Sequence, residues 1–175
     1  MASDVPWLRA HIRDIPDYPQ PGVVFRDITP LLGRPEVFGR AVDDLVARFH
    51  DVPVDRVVGI ESRGFILASP IAYRLRAGFV PVRKAGKLPW AVAREEYALE
   101  YGTDKLEIHR DAIHPDEKIL IVDDVLATGG TASATSRLVE TLGGVVVGLG
   151  FMIELEALGG RSKLGEHRVE SLARY

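Results

Sequence analysis

Residues 118–135 read KILIVDDVLATGGTASAT, and this stretch decides the fold. Its first part, residues 119–122, is a continuous run of Ile, Leu and Val, which is typical of a strand covered on both faces in a parallel sheet. Two carboxylates, Asp123 and Asp124, follow directly. Because ligands of open α/β sheets bind beyond the carboxyl ends of the strands, this order predicts an α/β fold with a ligand crevice at the acidic pair.

A turn of small residues, Ala127-Thr128-Gly129-Gly130-Thr131, follows the acidic pair. A helical pattern then starts at Thr131 or Ser133 and stops at Gly143-Gly144. A glycine turn lets backbone N–H groups approach an anion, and the helix N-terminus adds partial positive charge. The turn therefore predicts a phosphate site, whereas the two acids suit hydroxyls, a developing cation or a metal ion carried by the ligand. The stretch has neither the lysine of a Walker A loop nor a GxGxxG fingerprint.

Size and composition predict one α/β domain with a substantial core. The chain has 175 residues, a formal net charge of −3 and no cysteine, so disulfides, thiolate catalysis and zinc–thiolate sites are excluded. The acidic balance indicates no nucleic-acid or membrane partner. The sequence shows no basic-then-apolar leader and no apolar run near ~20 residues, so we expect a cytoplasmic protein.

The rest of the chain alternates predicted helices and strands. We expect an amphipathic helix over 4–15, a proline-rich loop over 16–22 and an edge strand near 23–28. A helix over 35–50 precedes a buried strand at 57–60. The helix that follows this strand reaches about residue 77, and Pro70 inside it should bend the helix or mark a later start. Further strands are expected at 79–82, at 145–152 and, at the edge, at 169–172, with a short helical turn at 161–166.

Cations follow two of these strands. Arg63 lies in the polar turn after residues 57–60, and Arg83, Lys84 and Lys87 follow residues 79–82. A surface ion pair or a solvated charge run would explain either group alone. Both groups stand at the carboxyl ends of strands, and the chain repeats at Arg63 the strand, polar turn and helix order of the glycine turn. We therefore favour anion binding for these cations.

Residues 88–111 have no helical stripe. Two extended arms, 95–101 and 105–109, surround Gly102-Thr103-Asp104, which predicts a hairpin with a three-residue turn. A hairpin inserted between sheet strands is most simply a mobile flap that closes over a ligand.

Several separate stretches together resemble the adenine phosphoribosyltransferase family of type I phosphoribosyltransferases. These are PGVVFRDITPLL, GIESRGF, VPVRKAGKLP, YALEYGTDKLEIH, VDDVLATGGTASA and MIELEALGGRSKL, in this order from about Ile15 to Leu164. The central motif indicates only the broad superfamily, whereas the LEYGTDKLEIH and GVVFRDI segments narrow it to the adenine branch. The chain departs from the family pattern at Glu61, where some relatives carry Asp, and at Trp90.

The resemblance implies a central parallel five-stranded sheet flanked by helices, in a single domain spanning 1–175. A flap (about 84–111) and a small hood (about 1–33 with 153–175) would complete it. It also implies transfer of the phosphoribosyl group of 5-phosphoribosyl 1-pyrophosphate (PRPP) to adenine, giving AMP and pyrophosphate in purine salvage. Mg²⁺ would be the cofactor, held mainly by substrate and water, and the protein would be a homodimer.

Residue roles are carried over from the family onto matching positions. The turn of Ala127, Thr128, Gly129, Gly130 and Thr131 would bind the 5-phosphate, and Asp123 and Asp124 would hold the ribose hydroxyls and favour an oxocarbenium-like ring. Pyrophosphate would be bound by Arg63, Lys84, Lys87 and Tyr101. The peptide bond between Glu61 and Ser62 would be cis. Glu100 would be the general base. Adenine would lie between Val24 and Phe25 on one side and Met152 or Ile153 on the other, with backbone groups at Arg26 reading its edge.

Two alternatives remain open at this point. One is a phosphoribosyltransferase for xanthine, hypoxanthine or orotate, and the other is a non-catalytic regulator that senses PRPP. The acidic chain has no added DNA-binding segment and keeps Glu100, which argues against the regulator.

Overall fold

The computed structural model of the chain describes residues 5–98 and 103–175. The helices are α1 (Pro6–Arg9), α2 (Thr29–Leu32), α3 (Pro35–Ala47), α4 (Arg63–Leu75) and α5 (Gly130–Thr141), with two 3₁₀ turns at Glu156–Leu158 and Gly160–Leu164. The strands are β1 (Arg13–Pro16), β2 (Val24–Asp27), β3 (Arg56–Ile60), β4 (Gly78–Lys84), β5 (Val92–Ala98), β6 (Thr103–His109), β7 (Lys118–Leu126), β8 (Val145–Glu154) and β9 (Val169–Arg174).

A seven-stranded sheet forms the centre of the molecule, in the order β5-β6-β4-β3-β7-β8-β9. Its five strands β4-β3-β7-β8-β9 pair in parallel, which confirms the predicted parallel five-stranded sheet. The other two strands form the antiparallel hairpin β5–β6, which joins the edge of β4 and extends the sheet. The carboxyl ends of the parallel strands therefore meet the hairpin at one end of the sheet.

Both faces of the sheet are covered, as the aliphatic run of β7 predicted. Successive residues of β7 alternate between two cores: Leu120 belongs to the cluster that includes Phe49 and Ile71, and Ile121 to the cluster that includes Leu138 and Phe151. Helices α3 and α4 supply the first cluster and α5 the second. This packing fixes β7, and with it the acidic pair, in the middle of the sheet.

The sequence predictions were wrong in two places. Strand β7 does not stop before the acids but continues through Asp123 and Asp124 to Leu126, because β8 runs alongside it to Glu154. The predicted helix over 4–15 is confined to α1, since Arg13–Pro16 instead pairs antiparallel with β2. Of the two alternatives for Pro70, the later start is excluded, because helix α4 begins at Arg63 and runs through that proline.

The hairpin also differs in its details. Its arms are Val92–Ala98 and Thr103–His109, and Tyr97 pairs directly with Asp104. Thr103 and Asp104 are therefore strand residues and not part of the turn. The predicted base Glu100 and its neighbour Tyr101 lie in 99–102, outside the described residues.

Candidate active site

A cleft of ≈ 570 Å³ opens at the carboxyl ends of the parallel strands. It is bounded by β2, by the turn between β3 and α4, by the end of β4, by the hairpin and by β7. The residues that line the cleft include Val24, Phe25, Arg26, Glu61, Ser62, Arg63, Lys84, Tyr97, Asp104, Asp123, Asp124, Val125, Ala127, Thr131 and Leu155. The structure thus brings the acidic pair, two of the predicted cations and the predicted adenine residues of β2 to one place.

The two acids lie on the floor of this cleft. Oδ1 of Asp123 accepts a hydrogen bond from the backbone N–H of Asp124 at 2.9 Å. Asp124 is 5% exposed, and Nε of Arg63 lies 2.8 Å from its Oδ2, although the N–H is not aligned for a hydrogen bond. Burial, and then the charge of Asp124, raise the pKa of Asp123 well above its usual range. Ionisation of Asp123 is thus disfavoured, and a ligand that brings a cation or a hydroxyl donor would favour it.

Gly64 explains why the helix after β3 can approach the acids so closely. A Cβ at this position would lie 2.8 Å from Oδ1 of Asp123 and 3.0 Å from the carbonyl oxygen of Val122. The glycine of the ESRGF segment therefore lets α4 begin directly against β7, which places Arg63 beside Asp124.

The glycine turn forms a second, smaller pocket of ≈ 80 Å³, which runs from Asp123 to Ala132. Gly129 has a φ of +77°, which favours glycine, and α5 begins at the next residue. The pocket is lined by Gly130, Thr131 and Ala132 of the first helical turn, whose amides have no intrahelical partner in an α-helix. The predicted phosphate turn therefore has the backbone geometry of an anion site.

A second segment supports this turn from behind. Gly160 lies so close that a Cβ on it would be 2.2 Å from the carbonyl oxygen of Ala127, and a Cβ on Gly129 would be 2.3 Å from the carbonyl oxygen of Gly160. Arg161 fixes the segment because its Nε and Nη2 donate to the buried carboxylate of Glu154 at 2.8 and 2.5 Å. Sequence reasoning missed Gly160, since nothing near it in the chain indicates contact with residue 129.

The predicted pyrophosphate cations separate into two groups. Arg63 and Lys84 line the cleft, with Lys84 Nζ 3.1 Å from Oδ2 of Asp104. Lys87 is not among the described residues that line it and forms an ion pair with Glu61. Burial acts to raise the pKa of Glu61, but its hydrogen bonds, first from Lys87 and then from the Lys84 amide, outweigh burial and lower it.

The backbone of this turn matches the family expectation. The peptide bond between Glu61 and Ser62 is cis, as the resemblance implied. Ser62 and Glu61 both line the cleft. The Glu61 carboxylate is held against the end of β4, because the Lys84 amide donates to Glu61 Oε2 at 3.0 Å.

The predicted adenine-binding residues lie in two different surroundings. Val24, Phe25 and Arg26 line the cleft, and the guanidinium of Arg63 lies 5.1 Å from the centre of the Phe25 ring. Met152 and Ile153 do not face them, because both are core residues at 1% and 0% exposure. Val125 and Leu155 line the cleft in their place. Strand β8 stays paired to Glu154, so the chain reaches the cleft only at the next residue.

Two further cleft residues were missed by sequence reasoning. Tyr97 and Asp104 come from the hairpin, and the Tyr97 hydroxyl donates to Oδ2 of Asp104 at 3.3 Å. The alternation of the hairpin arms would place both on one face once their pairing is known. The sequence alone offered no register, since the turn was placed over residues 102–104.

In the described ranges, 5–98 and 103–175, no group of three or more His, Asp or Glu side chains is arranged to hold a metal ion. Nor does any helix in these ranges have the length and apolar character needed to cross a membrane.

Comparison with known proteins identifies the family. The profile of the phosphoribosyl transferase domain matches residues 36–168. The adenine phosphoribosyltransferase of Acidothermus cellulolyticus is 59% identical over 165 residues, which cover 94% of this chain and 93% of that protein. The crystal structure of the enzyme of the same name from Rhodothermus marinus is 53% identical and superposes with a TM-score of 0.92, with 97% of each chain covered.

A third relative was crystallised with ligands. The adenine phosphoribosyltransferase of Saccharomyces cerevisiae, in complex with an imino-altritol bisphosphate and adenine, is 40% identical, with a TM-score of 0.90 over 95% of this chain and 97% of that one. Sequence and fold therefore agree. The chain belongs to the phosphoribosyltransferases and, within them, to the adenine phosphoribosyltransferase family.

Proposed function

We propose that this cleft transfers the 5-phosphoribosyl group of PRPP to adenine, producing AMP and pyrophosphate. The observation that carries the proposal is the placement of an acidic pair between a glycine turn and two cations in one cleft. The relative from Saccharomyces cerevisiae was crystallised with a bisphosphate and adenine, which supports a site for a sugar phosphate and a site for the base.

The glycine turn would bind the 5-phosphate. Gly130, Thr131 and Ala132 line the small pocket with the first turn of α5, and the positive end of the helix dipole adds to their attraction for an anion. Ala127 and Thr128 complete the same pocket, and the Thr128 and Thr131 hydroxyls can donate to phosphate oxygens. Binding here would leave the ribose directly over the acids.

Asp123 and Asp124 would hold the ribose hydroxyls and oppose the positive charge that develops on the ring. Departure of pyrophosphate makes the anomeric carbon cation-like, so carboxylates fixed beneath it stabilise the transition state more than the ground state. Burial and the charge of Asp124 raise the pKa of Asp123 and so disfavour its ionised form. A hydrogen bond from a ribose hydroxyl, or the charge of a nearby cation, would favour the ionised form.

Arg63 and Lys84 would hold the leaving pyrophosphate, with Lys87 and Tyr101 as further candidates. Lys87 would first have to leave Glu61, with which it pairs. The residues present also fit Mg²⁺, because Asp124 Oδ2 is buried without a hydrogen bond and Asp123 lies beside it. Bound mainly through PRPP and water, Mg²⁺ would neutralise charge on the pyrophosphate oxygens.

Adenine would enter between β2 and the far wall of the cleft. Phe25 and Val24 offer an apolar face, and Val125 and Leu155 lie in the position first assigned to Met152 and Ile153. Among the residues that the structure describes, β2 pairs with β1 alone, so its other edge can present backbone groups of Arg26 to the base. Hypoxanthine and guanine carry a carbonyl where adenine has its amino group, so a hydrogen-bond acceptor replaces a donor at that position. The backbone groups that read adenine should therefore reject both bases.

Loss of the adenine ring proton requires a base, for which we propose Glu100 of the flap. Tyr97 and Asp104, the cleft residues described on either side of 99–102, line the cleft, which supports a base from this segment. The carboxylate would accept the proton as the ring nitrogen attacks the ribose.

The direct test is AMP formation from labelled adenine and PRPP, with and without Mg²⁺, and with hypoxanthine, guanine, xanthine and orotate as competitors. We expect AMP from adenine alone, in an Mg²⁺-dependent reaction. Equal turnover of hypoxanthine would refute the proposed base site, and failure to use any base would favour a regulator that only senses PRPP.

We further propose a cytoplasmic homodimer with a hood formed by residues near 1–33 and 153–175. The two hood segments touch, because the Val5 amide donates to the carbonyl oxygen of Leu172 at 2.9 Å. Ile66 and Tyr73, two turns apart on α4, are 42% and 84% exposed, which supports a partner on this helix. Sedimentation equilibrium should give twice the chain mass; a monomer at micromolar concentration would contradict the dimer.

A further inference from the structure

Tyr97 connects the two ends of the cleft that would bind phosphate groups. Its hydroxyl accepts a hydrogen bond from Thr131 Oγ1 at 3.4 Å and donates one to Asp104 Oδ2 at 3.3 Å, and Lys84 Nζ is 3.1 Å from that same oxygen. We propose that Tyr97 is a positioning residue that, through Asp104, holds Lys84 in the arrangement that binds PRPP. This inference rests on the proposed role of Lys84.

The surroundings of Tyr97 suit this role. Its side chain is 8% exposed, whereas Lys84 at the end of the chain of contacts is exposed to the cleft. Burial is the main cause that raises the pKa of Tyr97, so its hydroxyl stays protonated at neutral pH and remains a donor to Asp104. The hydrogen bond and charge of Asp104 likewise raise the pKa of Lys84, which keeps the ammonium charged.

Both elements that flank Tyr97 are held in place. On β5, Glu95 lies two residues before Tyr97 and therefore on the same face, and its Oε1 is 2.6 Å from Nε of Arg137 on α5. Across the hairpin, Tyr97 pairs in register with Asp104. The hydroxyl is thus fixed both against the helix that begins at the glycine turn and against the strand that carries the partner of Lys84.

Ligand binding should use this arrangement in a defined way. A threonine hydroxyl has one hydrogen, so when phosphate binds to the turn, Thr131 can donate to the phosphate instead of to Tyr97. Tyr97 still donates to Asp104, which keeps that carboxylate oriented toward Lys84 and partly neutralised near the incoming pyrophosphate. Without the hydroxyl, Asp104 would repel the anion more strongly and Lys84 would be less well placed. Adenine, bound at the β2 side, should be unaffected.

Tyr97→Phe tests the proposal because it removes only the hydroxyl and keeps the buried ring. PRPP binding to the whole protein is measured by isothermal titration with Mg²⁺ and no adenine, and KM and kcat are measured for each substrate. We expect the Kd and the KM for PRPP to rise about threefold to tenfold, as for loss of one hydrogen bond, with the KM for adenine unchanged.

Two backgrounds separate the role of the hydrogen-bond chain from a general effect on the hairpin. In an Asp104→Ala background, Tyr97→Phe should change the Kd for PRPP less than twofold, because the group that it orients is gone. In a Glu96→Ala background, Tyr97→Phe should keep its full effect on the Kd for PRPP. Glu96 is the neighbouring carboxylate, but its ion pair is with Lys105, at 3.2 Å, and it takes no part in the contacts of Tyr97 with Thr131 and Asp104. Far-ultraviolet circular dichroism confirms that each variant is folded.

The outcomes distinguish this inference from the function on which it rests. A wild-type protein that forms no AMP would refute the proposed reaction. A folded Tyr97→Phe variant that binds PRPP as tightly as the wild type, or an equal effect of the substitution in both backgrounds, would refute the role of Tyr97.

Discussion

Gly160 offers the sharpest test of how the phosphate turn is built. A Cβ added there would lie 2.2 Å from the carbonyl oxygen of Ala127 and 2.9 Å from the backbone nitrogen of Gly129. Ordinary contact begins near 3.4 Å, so the first distance is short by 1.2 Å. Both opposing atoms belong to the backbone of the turn, and neither can swing aside as a flexible side chain would.

Gly160→Ala should therefore displace the turn by about 1 Å. A misplacement of this size can lower the rate ~10²-fold, so we expect kcat/KM for PRPP to fall by that order and the KM for adenine to change little. Overpacking should also lower the free energy of unfolding by about 1–3 kcal/mol. Steady-state kinetics with PRPP and adenine varied in turn would separate the two substrates, and thermal unfolding followed by circular dichroism would measure the stability.

Gly39→Ala is the matched control. Gly39 lies inside α3, and a Cβ there would meet nothing within 4 Å. Because alanine favours a helix over glycine, this variant should gain up to about 1 kcal/mol of stability and keep wild-type kinetics. A folded Gly160→Ala variant whose kcat/KM for PRPP is within threefold of the wild type would refute the proposed support of the turn.

Two other perturbations test the base and the hood. Glu100→Gln should keep the fold but lower kcat by ~10²-fold or more, as for loss of a general base, and an unchanged rate in the AMP assay would remove Glu100 from the mechanism. Hydrogen bonds, first from Thr29 and then from Arg13, lower the pKa of Asp27 from 3.8 to about 2. Because this folded-state pKa lies below the unfolded one, its stabilisation is present above pH 4 and is lost as the pH falls toward 2. Asp27→Asn should cost about 1–2 kcal/mol at pH 7 in denaturant titrations and much less near pH 2; an equal cost at both pH values would contradict this assignment.

The local part of the fold could be predicted from the sequence. The aliphatic run before Asp123 indicates a doubly covered strand, and the stop at Gly143-Gly144 agrees with the end of α5 at Thr141. These features depend on neighbours within a few residues. The same reason explains why three features could be placed at one edge of the sheet from the sequence: the acidic pair, the glycine turn and Arg63. Each of them follows its strand directly.

The remaining features depend on contacts between distant segments. Arg13–Pro16 became a strand because β2 lies beside it, although its apolar spacing also fits a helix. Met152 was placed at the base site, but the pairing of β8 with β7 up to Glu154 keeps it in the core and leaves Leu155 at the cleft. The contact between Gly129 and Gly160 joins residues far apart in the chain, and no local pattern indicates it.

A crystal structure of the protein with PRPP and Mg²⁺ would test the central claim most directly. We expect the 5-phosphate to lie on the amides and hydroxyls of residues 128–131, with the ribose hydroxyls toward Asp123 and Asp124. A 5-phosphate bound anywhere else, or a ribose turned away from the two acids, would contradict it.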